Sequence, residues 1–209
     1  MSPDRTVHVV DDDAAVRRSL ERLLDTAGFH VVSYDSSSAF LQTARGLSAG
    51  CVLLDIQMPG VDGLKVQSVL NRLRVPLSVI VMTAHGDVAS AVQAMKAGAV
   101  DFLEKPFDDE TLLNGIEAAL AKAGRRVGDR EPAEAAQRIA TLSPREREVL
   151  DGLVTGRQNK VIAFDLGISP RTVEVYRANV MTKMQARSLS ELVRMAIAVG
   201  SATPLHLRP

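Results

Sequence analysis

Along the first 124 residues, short apolar runs alternate with longer stretches in which apolar residues return every three or four positions. The runs fall at 7–10, 31–32, 51–54, 79–82 and 100–103, and each predicts a strand. After the first run, Val16, Leu20, Leu23, Leu24 and Ala27 share one helical face, and Gly28 stands just past its end. Further helices are predicted over 36–44, 62–73, 87–97 and 108–122, with Gly98 closing the fourth. Five strands alternating with five helices predict an α/β domain with a parallel, doubly wound sheet. The run 51–54 has no polar break, the mark of a strand buried on both faces.

Beyond residue 141 the strand pattern is gone. Ser143 with Glu146 forms a capping box with Pro144 at the first helical position, and Val149, Leu150 and Leu153 give that helix a buried side. A shorter helix spans 159–166 and ends at Gly167. Ser169 and Pro170 start another that runs to about residue 185, and Ser188 with Glu191 starts a fourth with Leu192, Val193 and Ile197 inside. Two helices joined by the tight turn 167–169 predict a helix-turn-helix unit. The expected organisation is a domain over 1–124, a linker over 125–141 and a second, all-α domain over 142–209. Gly124, Gly128 and Pro132 argue against one continuous helix in the linker, although a short one fits 134–140.

Composition narrows the class. No apolar run approaches the roughly 18 to 20 residues a membrane span needs, and the polar residues 1–5 carry no signal-peptide pattern, so no membrane partner and a cytoplasmic location are expected. A single cysteine, Cys51, excludes an internal disulfide and a cysteine-based zinc site. Net charge is +0, but residues 1–124 carry 11 Lys+Arg against 16 Asp+Glu, and residues 138–209 carry 11 against 6. The basic second half suits a polyanion.

Candidate chemistry stands where the strands end. The first is followed by Asp11 and Asp12, the third by Asp55, the fourth by Thr83, the fifth by Lys105 and Pro106. Right-handed crossovers bring all of these to one edge of the sheet. Three carboxylates packed together repel unless a cation sits among them, and a hard cation that prefers oxygen and is shared with phosphate is Mg²⁺. In that setting Asp55 is a carboxylate nucleophile toward a phosphoryl group, Lys105 stabilises charge on its oxygens, and Thr83 donates a hydrogen bond to one of them. Any one of these residues alone is more often a cap or surface group, and Asp13 reads as the N-cap of the first helix. The five together are the signal.

In the second half, Val173, Val180, Met181 and Met184 pack inward, which leaves Arg171, Thr172, Glu174, Val175, Ala178 and Asn179 for a DNA major groove. Lys160, Arg177 and Lys183 suit phosphates. A solvated polar face on a small helical bundle explains these residues about as well.

The acidic pair Asp11 and Asp12, the DIQMPG turn at 55–60, Thr83 with Ala84, and EKPF at 104–107 closely resemble the receiver domain of two-component response regulators. LSPREREVLDGLVTG at 142–156 and NKVIAFDLGISPRTVEVYRANVMTKM at 159–184 resemble the four-helix LuxR-type DNA-binding domain of the NarL/FixJ family. The resemblance implies a sheet order of 2-1-3-4-5 and phosphate transfer to Asp55 from a sensor histidine kinase. It implies Mg²⁺ at Asp12, Asp55, the carbonyl of Gln57 and, through water, Asp11. Thr83 and Phe102 would report phosphorylation, with Phe102 lacking the hydroxyl that many receivers have there. Gln57 and His85, two residues past Asp55 and Thr83, are candidates to adjust the lifetime of the phosphate. Also implied are a homodimer when phosphorylated, binding to double-stranded promoter DNA, transcription activation through RNA polymerase, and no enzymatic activity beyond self-phosphorylation and self-dephosphorylation. Within the family the likeness is to regulators of nitrogen fixation, so nitrogen-fixation or microaerobic genes are the expected targets. Two alternatives differ in class: an Asp-nucleophile phosphohydrolase, and a receiver-controlled protein-interaction module that does not bind DNA.

Overall fold

The computed structural model describes residues 5–83, 88–122 and 130–200. The chain divides into two compact units, Met1–Asp87 with Ala97–Arg126, and Val88–Lys96 with Val127–Pro209. No helix among the described residues is long and apolar enough to cross a membrane.

Five parallel strands carry the first unit: β1 (Thr6–Val10), β2 (His30–Tyr34), β3 (Gly50–Asp55), β4 (Leu77–Thr83) and β5 (Asp101–Glu104). Their order is β2-β1-β3-β4-β5, the doubly wound sheet expected from the alternating pattern. Helices α1 (Ala14–Thr26), α2 (Ser37–Thr43), α3 (Gly63–Leu73) and α5 (Asp109–Lys122) connect or follow the strands; α4 (Val88–Lys96) follows β4 in the chain and groups with the second unit.

Every residue of β1 and β3 is buried; β3 accordingly runs without a polar break from Cys51 to Leu54, whereas β1 buries the polar Thr6 and His8 alongside its valines. On one face of the sheet, Val7, Val9, Cys51, Leu53, Ile80, Met82 and Leu103 form a single cluster with Leu20 and Leu24 of α1 and Leu112, Ile116, Ala119 and Leu120 of α5. Each fully buried side chain of this size contributes about 1.5–3 kcal/mol. Side chains along a strand return to the same face every second residue. Asp11, Asp55 and Lys105 each lie two residues beyond a member of that cluster: Val9, Leu53 and Leu103. Val10 pairs with Leu54 across β1 and β3, so the next residues along, Asp11 and Asp55, are neighbours.

Local caps hold these ends in place. Asp13 accepts from the N–H groups of Ala15 (2.7 Å) and Val16 (3.4 Å) and starts α1 directly after the acidic pair, as expected. Asp62 caps α3 through the Lys65 N–H at 2.8 Å. At the first position of α3, Gly63 donates to the Ile56 carbonyl (3.1 Å), and a Cβ there would collide with the carbonyl oxygen of Asp55 and come within 3.0 Å of the Ile56 Cα. The helix start therefore rests directly on the backbone of the Asp55 turn, and only glycine permits that approach.

The second unit contains α6 (Arg130–Ala140), α7 (Pro144–Val154), α8 (Asn159–Leu166), α9 (Pro170–Met184) and α10 (Leu189–Ala198). The Ser143–Glu146 capping box forms reciprocally, with Pro144 in the first turn. Gly167 takes the left-handed conformation (φ 65°) that closes α8 and turns the chain into α9, whose N-cap Ser169 accepts from the Thr172 N–H. Val149, Leu150, Leu153, Ile162, Val173, Val180, Met184, Leu192 and Val193 are buried, whereas Met181 is only half-buried.

One element differs from the sequence expectation. Residues 130–140, placed in a linker with at most a short helix over 134–140, form the full helix α6, and its Ala135 and Ile139 are buried. Pro132 is tolerated because it lies in the first turn, where a backbone N–H has no partner inside the helix. The four-helix bundle expected here thus has a fifth helix packed with it. Of the other readings, Ala84, His85, Gly124 and Gly128 lie outside the described residues.

Gly63→Ala is expected to lower stability by about 1–3 kcal/mol, the usual cost of forcing atoms into a filled site, as measured by urea unfolding of the full chain. An unchanged midpoint would show that α3 does not rest on the Asp55 backbone.

Candidate functional site

At the carboxyl edge of the sheet, Asp11, Asp12 and Asp55 each offer a carboxylate oxygen, and these oxygens lie within 4.8 Å of one another. Asp11 is fully buried, Asp55 is 7% exposed and Asp12 is exposed. Lys105, which follows β5, extends its ammonium into the group: Nζ lies 2.8 Å from Asp11 Oδ2 and 3.4 Å from Asp55 Oδ2. Asp11 also accepts from the Asp13 N–H at 2.8 Å, so one buried carboxylate serves both the lysine and the loop that starts α1. The Lys105 N–H donates to the Thr83 carbonyl (2.8 Å), tying the end of β4 to the lysine's own backbone.

The electrostatics follow from this packing. Burial pushes the Asp55 carboxyl above its ordinary value; the Asp11 charge acts in the same sense, and Lys105 and the Gln57 N–H act against it. Burial alone would lower the Lys105 pKa, but the Asp11 hydrogen bond and the Asp55 charge outweigh it and hold the ammonium above its usual value. Asp55 is thus a carboxylate whose charge is costly in place and incompletely matched, beside a lysine kept firmly cationic. An added cation lowers that cost, and three carboxylate oxygens at this spacing are a hard-oxygen donor set of the kind Mg²⁺ takes.

The remaining residues expected at this site take distinct positions. Thr83 is buried at the end of β4, paired in register with Glu104. Phe102 is half-buried on β5 opposite Val81. Gln57 is exposed, and its backbone N–H is directed at the Asp55 carboxylate. The sequence reading missed Arg17 of α1, whose Nη1 donates to the Asp11 carbonyl at 2.7 Å. Its place on the helix beside Val16 carries no signal of that contact.

On the second unit, Arg171, Glu174, Ala178 and Asn179 of α9 are exposed, as is Lys160 of α8. Val175 is 56% exposed, a large apolar side chain left uncovered on the same helix. Thr172 is half-buried and its hydroxyl is hydrogen-bonded to the Ser169 hydroxyl at 2.8 Å. Arg177 is half-buried. Lys183, expected to face phosphate, instead places Nζ 2.7 Å from Oε2 of Glu146, the capping-box residue of α7. The capping geometry holds that carboxylate where α9 passes, and nothing in the local sequence indicates it.

Comparison with known proteins covers both units. Residues 7–117 match the response regulator receiver domain, and residues 140–196 match the luxR family of bacterial regulatory proteins. The transcriptional regulatory protein FixJ of Bradyrhizobium diazoefficiens is 54% identical over 195 residues, covering 93% of this chain and 95% of that one. FixJ of Rhizobium meliloti is 50% identical, with coverages of 94% and 97%. The response regulator protein TodT of Pseudomonas putida is 40% identical over 190 residues, covering 90% and 84%. Among solved structures, full-length FixJ from B. japonicum is similar with a TM-score of 0.55 at 53% identity, covering 94% of this chain and 97% of that one. The response regulator StyR gives 0.54 at 42% identity, covering 92% and 98%.

The Lys183 hydrogen bond, with the Ser143 N–H, holds the Glu146 carboxyl below the usual range. A depressed carboxylate stabilises the fold above the ordinary carboxylate range, and that stability is lost as pH falls through the depressed value. Glu146→Gln should therefore melt below wild type at pH 7, with the gap closing at strongly acid pH. A gap that stays constant with pH would mean that the carboxylate charge contributes nothing.

Proposed function

Because the chain belongs to the NarL/FixJ response regulators, with a receiver domain ahead of a LuxR-type DNA-binding domain, it is a phosphorylation-dependent transcription activator, and we propose how its residues carry out that role. Asp55 receives a phosphoryl group from a sensor histidine kinase: a carboxylate oxygen forms the new bond to phosphorus as the bond to the donor nitrogen breaks. The observation that carries this reading is the Lys105 ammonium 3.4 Å from Asp55 Oδ2, within a group of three carboxylates.

Asp11, Asp12, Asp55 and the Gln57 carbonyl fit Mg²⁺, which when bound supplies positive charge to the phosphoryl oxygens. Lys105 keeps its proton and, once Asp55 carries the acyl phosphate, pairs with the phosphate, which brings about −1.5 to −2 charges where one stood before. Thr83 turns its hydroxyl to a phosphoryl oxygen, and Phe102 follows it by packing alone, since it carries no hydroxyl. Gln57 and His85 set how long the phosphate survives.

The phosphorylated chain pairs with a second copy, and α9 reads paired half-sites. Arg171 is suited to guanine, Asn179 to adenine, Glu174 to cytosine and the exposed Val175 to a thymine methyl, while Lys160 and Arg177 meet phosphates. Lys183 already donates to Glu146, so it meets phosphate with its remaining ammonium donors. We assign 1–124 to the receiver and 142–209 to the DNA-binding domain, with the chain acting in the cytoplasm and contacting RNA polymerase at the promoter. Likeness to FixJ supports nitrogen-fixation or microaerobic genes as targets, and relatives named as transcriptional regulators favour this reading over a phosphohydrolase or a module that binds only protein.

The test is a mobility shift on genomic fragments with acetyl phosphate and Mg²⁺. Wild type should bind more tightly when phosphorylated, Asp55→Asn should show no phosphate response, and Lys105→Ala should accept phosphate yet fail to tighten on DNA. Phosphate-dependent binding by Asp55→Asn would refute the assignment. Separately, Mg²⁺ should raise the melting temperature of wild type and raise that of Asp12→Asn much less; equal shifts would remove Asp12 from the metal site.

A further inference from the structure

The carbonyl groups of a helix's last turn have no partners within the helix, and they carry its partial negative charge. In α9 the left-handed residue Gln185 (φ 55°) satisfies two of them: its N–H donates to Thr182 at 3.1 Å, and the Ala186 N–H donates to Met181 at 3.0 Å. The carbonyl of Met184 is taken by a different element. Arg138 of α6 donates to it from Nη1 at 3.1 Å. The guanidinium gains little from its own helix, since Glu134 stands 4.0 Å away and is 63% exposed.

This contact closes a ring of three. Arg147 of α7 donates to the Ile139 carbonyl at the end of α6 (3.2 Å), Arg138 of α6 donates to the end of α9, and Lys183 of α9 returns to Glu146 of α7 at 2.7 Å. Each of the three bonds carries a formal charge on its donor, which makes it stronger than a neutral one. Buried Ala135 and Ile139 seat α6 independently of them. The luxR-family match begins at residue 140, so all but the last residue of α6 lies outside the segment that defines such domains.

We propose that Arg138 is a positioning residue for the recognition helix, and that α6 belongs functionally to the DNA-binding module. Arg138 fixes the C-terminal end of α9 against α6, and thereby the angle at which the helix presents Arg171, Glu174 and Val175. Met184 and Arg171 are 13 residues apart, about 20 Å along an α-helix, so a tilt of about 3° at the anchored end moves Arg171 by about 1 Å. Hydrogen bonds to base edges do not survive much more than that. The proposal rests on the reading of α9 as the helix that enters the groove.

The experiment uses the full chain, phosphorylated with acetyl phosphate in Mg²⁺, and a duplex selected from random-sequence DNA on the wild-type protein. Four variants are compared: Arg138→Gln, Arg138→Lys, Arg147→Gln and Arg171→Ala. Arg147→Gln loses a bond of the same type that does not touch α9, so it reports what a loss of stability alone does to binding. Arg138→Gln should weaken specific binding about tenfold, the scale of one misplaced base contact, while Arg147→Gln, with a similar drop in melting temperature, binds as wild type does. Arg138→Lys, which keeps a donor, should recover most of the loss; should Arg138→Gln not fold, the comparison of Arg138→Lys with Arg147→Gln decides alone, with Arg138→Lys expected to bind measurably less well. Equal effects of the Arg138 and Arg147 variants would overturn the proposal, as would wild-type binding by Arg138→Gln while Arg171→Ala fails. If Arg171→Ala itself binds normally, the reading of α9 fails, and the proposal falls with it.

Discussion

A lysine ammonium between two buried carboxylates on neighbouring strands is the constraint on which the receiver half depends. Bringing Asp11 and Asp55 side by side costs free energy in an environment poor in water, and Lys105 offsets only part of it, since the Asp55 carboxyl stays above its ordinary value. The site is therefore left short of positive charge, which favours a divalent cation, and holds a carboxylate that would lose its own charge on forming the proposed acyl phosphate. The apolar positions that β1, β3 and β5 give to the core supply the rigidity. Each ends two residues before one member of the trio, so core packing and site geometry share one register.

Much of this was legible in the sequence because the controlling periods are short. The unbroken run at 51–54 announced a central strand, Asp13 a helix start, and Ser143 with Glu146 a capping box; each is local, and each forms in the structure. The Lys105–Asp11 pair spans 94 residues and could be inferred only by placing both at the same sheet edge. What escaped were contacts with no local signature: Arg17 on the Asp11 carbonyl, Lys183 on Glu146, and Arg138 on Met184, 46 residues away. Helix α6 was under-read for a related reason. Proline and glycine argue against helix by propensity, but Pro132 falls in the one turn where it does no harm, and burial of Ala135 and Ile139 decides the rest.

The two units use charge in different ways. In the first, opposite charges are concentrated around the Asp55 carboxylate and left incompletely balanced, an arrangement in which a small chemical change would have a large electrostatic effect. In the second, Arg138, Arg147, Lys183 and Glu146 are bonded at helix ends, while Lys160 of α8 and Arg171 of α9, both proposed to contact DNA, are exposed. Counting basic residues overestimates the DNA-facing charge, because part of it is spent holding helices to one another.

Chemical trapping of the phosphoacceptor tests this picture most directly. Borohydride reduces an acyl phosphate of aspartate to homoserine, so the full chain, treated with acetyl phosphate and Mg²⁺, reduced and digested, reports its reactive carboxylate by peptide mass spectrometry. Homoserine at position 55 alone is the expected result. Homoserine at position 11 or 12, or none anywhere in a chain shown to be folded, would contradict the assignment of Asp55 as the nucleophile of the Lys105 site.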